Sequence, residues 1–64
     1  MIALTRLDGT AFHVNPAFVV TIEQAADTVL HLSSGTSIMV TEKAVAVVEL
    51  ITDWQRRIRQ LGGE

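Results

Sequence analysis

Two histidines, His13 and His31, are the chain's only imidazoles and its only candidate general bases or nitrogen ligands. Catalysis through them needs a neighbouring nucleophile or carboxylate, and a zinc site needs at least a third protein ligand. His13 and His31 fall in different predicted strands, with no adjacent Ser, Cys or carboxylate to complete a triad. The simpler reading is two partly exposed strand-face histidines. The seven acidic residues are Asp8, Glu23, Asp27, Glu42, Glu49, Asp53 and Glu64. Glu49 and Asp53 lie four apart and so share a helix face. Such a pair could hold a cation or act in hydrolysis. A solvated face beside Arg56 and Arg57 is the more economical explanation. No catalytic residue, cofactor site or metal site is therefore assigned.

Four residues stand out as partner or structural determinants. Arg6 could offer a charge-assisted hydrogen bond to a partner, or pair at the sheet end with Asp8 or another carboxylate. Phe12 and Asn15 flank the end of the second strand. Trp54 lies on an apolar helical stripe, where core packing is the simplest role, although indoles also anchor interfaces. Arg56, Arg57 and Arg59 near Trp54 could form a basic patch. Cations in the last turns of a helix complement its dipole, and that explanation suffices.

The elements that would position these residues follow from periodicity. Ile2 to Leu7 alternates, with Ile2 and Leu4 opposed to Ala3 and Thr5. Asp8-Gly9 is a two-residue hairpin signal requiring φ > 0 at both positions. Thr10, Phe12 and Val14 then alternate against Ala11 and His13. Asn15-Pro16 breaks the ladder, because proline has no N–H and restricts the residue before it. A third strand is expected over 17–23, with Phe18, Val20 and Ile22 on one face and Val19, Thr21 and Glu23 on the other. Turns at 25–27 and 33–35 separate a fourth strand over 28–33 and a fifth over 36–40.

The period then changes to helical. Thr41 is the expected N-cap, with Glu42 at the positive end of the dipole. Ala44, Val47, Val48, Ile51, Trp54, Ile58 and Leu61 form one stripe, and Gly62-Gly63 ends it. Val45 and Leu50 widen the apolar arc. Either a neighbouring subunit covers the extra arc or a curved sheet wraps most of the helix. The expected fold class is α+β: a small antiparallel β-meander of about five short strands over 1–40, then one long C-terminal helix over 41–61. The 64 residues form a single domain without repeat or linker.

Bulk properties set the partner expectations. A chain of this length buries only about 60% of its unfolded surface, so its core is marginal and a staple is usual. With no cysteine, disulfides are excluded, and a partner chain is the natural supplement. The chain is 48% hydrophobic with a mean hydropathy of +0.35. That surplus points to a homo-oligomer. A net charge of −2 argues against nucleic acid as a partner. The sequence has neither a signal-peptide pattern nor an apolar run of about 20 residues, so a cytoplasmic location is expected.

The order of short motifs resembles the FlbD/SwrD-type family of small flagellar proteins. Ile2-Ala3-Leu4-Thr5-Arg6-Leu7-Asp8-Gly9 resembles that family's I-x-L-T-R-L-[ND]-G opening. Phe12-His13-Val14-Asn15-Pro16 resembles its aromatic-x-aliphatic-Asn-Pro continuation. Ile22-Glu23, Asp27-Thr28-Val29, Gly35 and Val40-Thr41-Glu42 follow in the family's order. The resemblance implies a bacterial flagellum-associated protein acting on motility or motor power from the cytoplasmic side; it does not imply a reaction. The partner expected on this reading is a flagellar motor or stator protein, with peripheral proximity to the membrane. The alternative is a small nucleic-acid-binding regulator of flagellar genes, which should concentrate Lys and Arg on one face; the strands carry only Arg6.

Overall fold

The computed structural model describes the backbone of residues 1–62 and the side chains of residues 1–58. The side chains of Arg59 and Leu61, the proposed helix stop at Gly63, and Glu64 lie outside the described residues. The element order is β1 (Ile2–Thr5), β2 (Ala11–Val14), a 3-10 turn (Pro16–Phe18), β3 (Val19–Gln24), β4 (Thr28–Leu32), β5 (Ser37–Val40) and α1 (Ala44–Gly62). β1 and β2 form one antiparallel sheet, and β3-β4-β5 forms a second. This is the α+β arrangement expected from the change of period. The sheets join at a corner, where Arg6 bridges Val40 and the Thr41 N–H donates to the Thr5 carbonyl at 2.9 Å.

Both glycine hairpins use one device. The Arg6 N–H donates to the Thr10 carbonyl and the Gly9 N–H to the Arg6 carbonyl, each at 2.9 Å. Leu32, Gly35 and Thr36 repeat this pattern. These are three-residue loops ending in a left-handed glycine, and among the described residues only Gly9 and Gly35 have positive φ. The two-residue turn expected at Asp8-Gly9 is thereby corrected. Asp8 keeps negative φ, and its Oδ1 accepts from the Thr10 N–H at 2.9 Å. A Cβ added at Gly35 would meet nothing within 4 Å, so Gly35→Ala isolates the backbone cost. Thermal or urea unfolding is expected to show a loss of about 1–2 kcal/mol.

The third strand starts later than expected. Asn15 Oδ1 accepts from the Ala17 N–H at 3.0 Å, and the Phe18 N–H bonds the Asn15 carbonyl, so Pro16–Phe18 turns instead of extending. A register shift between Val19 and Thr21 then leaves Val20 without a partner on β4. One extra residue reverses the facing of everything before it. Val19 and Ile22 are half-buried, whereas Phe18 and Val20 are exposed. The expected shared inner face of Phe18, Val20 and Ile22 is therefore wrong for its first two members.

The core unites both sheets and the helix. Ile2 and Leu4 from β1, Val14 from β2, Leu30 from β4, Val40 from β5 and Val47 from α1 are buried together. Phe12, Ile22, Leu32, Ile38, Ile51 and Trp54 pack around them, half-buried. Along α1, Val47, Ile51 and Trp54 hold the expected stripe, but Val48 and Ile58 are exposed. The helix packs on β1 and β3. Its 19 residues span about 28 Å, while strands of four to six residues span about 13–20 Å, so α1 outruns the sheets and leaves Ile58 uncovered.

Candidate interaction surface

The helix start is held by groups distant in sequence, not by Thr41. α1 begins at Ala44, three residues later than expected, and the Ala44 N–H donates to Gln24 Oε1 at 2.7 Å. The Thr41 N–H is taken by β1, which draws residues 41–43 away from helical geometry. The buried Thr28 hydroxyl donates to the Glu42 carbonyl. Glu42 Oε1 in turn accepts from the Thr5 N–H at 3.0 Å. Glu42 thus clasps the β1 end instead of entering the first helical turn, which carries no acidic residue.

Partial burial opposes ionisation of Glu42, but the Thr5 N–H and Glu42's own N–H outweigh it and hold the carboxyl below its ordinary value. A lowered folded pKa gives stability that is complete above the ordinary glutamate range, about pH 4.3, and lost as pH falls through the folded value. Glu42→Gln is expected to lose roughly 1 kcal/mol at pH 7. Its unfolding midpoint should converge on that of the native protein only as pH falls through the lowered folded value, beneath the ordinary glutamate range, in urea titrations at stepped pH.

Arg6 and Phe12 are brought together. The guanidinium carbon stands 4.4 Å from the centroid of the Phe12 ring, a cation–π stack. Among the described residues no carboxylate lies within ion-pair distance of Arg6, so the expected pairing with Asp8 is absent. The Asp8 carboxyl is instead held below its ordinary value by its bond to the Thr10 N–H, with the Thr10 side chain and then nearby Arg6 adding to the effect. The Phe12 ring orients the guanidinium, whose planar edge of N–H donors meets no carboxylate among the described residues. A shallow groove lined by Arg6, Leu7, Asp8, Ser37, Ile38 and Met39 runs beside it. Asn15 and Trp54 do not belong to this place. Asn15 caps the 3-10 turn, and Trp54 packs against the core beside a hollow formed with Met1, Ile2 and Leu50.

One constellation was not legible in the sequence. His31 Nε2 lies 3.0 Å from Glu23 Oε1, and His31 Nδ1 lies 3.0 Å from Ser37 Oγ. Strand register makes the row, because His31 sits directly opposite Ser37 on β5, while Glu23 reaches in from β3. All three residues are on the open face of the sheet, where water competes for each group. The row ties three strands together. His13 lies exposed on β2, in the other sheet. Among the described residues no three metal-binding side chains cluster. Arg56 lies 3.7 Å from Asp53 on the solvated side of α1. No described helix is long and apolar enough to cross a membrane.

The sequence also left open what covers the wide apolar arc of α1. The sheet does not wrap it: Val45 is 67% exposed and Val48 47%.

No curated protein and no solved structure matches the chain. A family model described as flagellar and swarming motility proteins matches residues 1–59, from β1 through most of α1. The motif order, the strand-then-helix architecture and this match agree: the chain belongs to the FlbD family of flagellar and swarming motility proteins.

Proposed function

We propose that this chain is a non-enzymatic accessory of the bacterial flagellum that supports motility or motor power by contact with another protein. The family match over residues 1–59 carries the reading. Arg6 adds a chemical reason: a guanidinium stacked on Phe12, with no internal carboxylate among the described residues, is prepared for an acceptor on a partner. A motor or stator protein at the cytoplasmic face is the expected partner. The net charge of −2, with Arg56 and Arg57 sharing α1 with Glu49 and Asp53 and Arg56 paired to Asp53, weighs against a nucleic-acid surface.

The test is gene deletion in the native bacterium, with flagella counted and swimming speed recorded in the same cells. Normal flagella with weak swimming, restored by the native gene, is the expected result. Arg6→Ala should fold, losing only about 0.5–1 kcal/mol from the cation–π stack, yet fail to restore speed. Unchanged swimming in the deletion strain would remove the proposal.

A further inference from the structure

The flank of α1 that faces β3 is apolar, open and uncharged. Pro16, Val19, Val20, Ile22, Val48 and Ile51 line it, with Thr52 and Gln55 as its polar members. Val20 is 65% exposed and Val48 47%, and Val45 extends the strip one helical turn further. The Thr52 hydroxyl is already spent, donating to the Val48 carbonyl at 2.8 Å. Its burial would therefore leave no unsatisfied donor. The charged residues Glu49, Asp53 and Arg56 occupy the next strip round the helix and share only Thr52 with this flank. An apolar centre with charges displaced to one side is the anatomy of an interface core and its rim.

We infer that this flank is the contact between two copies of the chain, which associate about a two-fold axis with Val20 and Val48 at the centre. Two observations select a second copy as the occupant. The first is need: the six buried apolar side chains among the described residues make a marginal core, to which a cover present at all times adds stability. Only the chain itself meets that condition unaided. The second is charge: a two-fold contact places a surface against itself, and a flank without charges faces its own copy with no like-charge repulsion. The bulge that turns Val20 outward and the helical phase that turns Val48 outward thus serve one surface. This contact is on a different face from Arg6 and is independent of the flagellar role.

Sedimentation of the purified full chain over a wide concentration range tests it. The expected mass is twice 7.0 kDa. Val20→Lys and Val48→Lys should each weaken association by about a hundredfold or more, because each would bury an unpaired charge. Both positions are solvent-facing in the single chain, so circular dichroism should show retained folding, and Leu7→Lys on the far groove should leave the mass unchanged. A second route does not depend on those variants. The chain has no cysteine, so Val48→Cys introduces a single thiol, which should form a disulfide-linked dimer on mild oxidation, whereas Leu7→Cys should not. A mass of 7.0 kDa at every concentration would overturn the inference, as would a dimer indifferent to both lysines. Neither result would touch the motility reading, which the deletion strain decides separately.

Discussion

Leu30→Ala is expected to remove a large share of the chain's folding stability at 25 °C. Leu30 has no exposed surface and lies in the cluster that joins both sheets to α1. Deleting a buried leucine to alanine costs about 2–5 kcal/mol, combining lost transfer energy with the cavity left behind. A 64-residue domain holds on the order of 3–10 kcal/mol in total, so the loss consumes a large share of its stability. A urea midpoint lowered by the equivalent of about 2–5 kcal/mol is the expected readout. A midpoint shifted by less than about 1 kcal/mol equivalent would mean that the core does not depend on this position. If two copies bury the α1 flank together, the loss should also lessen as protein concentration rises.

Thr28→Val carries the second large effect, and its cause is polar. Thr28 is buried, and its hydroxyl serves the Glu42 carbonyl, with Gln24 Oε1 also 3.3 Å away. Valine preserves the shape and removes the donor, leaving the Glu42 carbonyl unpaired at a cost of about 1–3 kcal/mol. The damage should concentrate at the helix start, since Gln24 and Glu42 also hold Ala44 and Thr5. Hydrogen exchange should therefore show lost protection in the first turn of α1 before β4 is affected. Uniform loss across the chain would contradict a local clasp.

Together these sites describe a fold whose pieces are simple and whose joints are specific. The two hairpin loops and the 3-10 turn are built from residues within five positions of one another. The joint between β1, the β3–β4 hairpin and α1 uses Thr5, Gln24, Thr28 and Glu42, brought together from far along the chain. The candidate surfaces lie outside that joint. Arg6 is fixed by stacking on Phe12, and the Val20–Val48 flank is open because α1 is broader in its apolar arc than the sheet beneath it.

The sequence by itself determined what depends on neighbours. Alternation placed five strands, the helical period placed α1, and Asn15-Pro16, Gly9 and Gly35 placed the turns, because these preferences act over a few residues. Motif order also carried the family. Only the tertiary structure decided what depends on register and long-range contact. A single unpaired residue in β3 turned Val20 outward, which no alternation pattern reveals. Gln24 displaced Thr41 as the helix cap, Phe12 displaced Asp8 as the partner of Arg6, and pairing across β3, β4 and β5 assembled Glu23, His31 and Ser37. Each of these outcomes is a competition between a local partner and a distant one, and the distant partner exists only once the strands have paired.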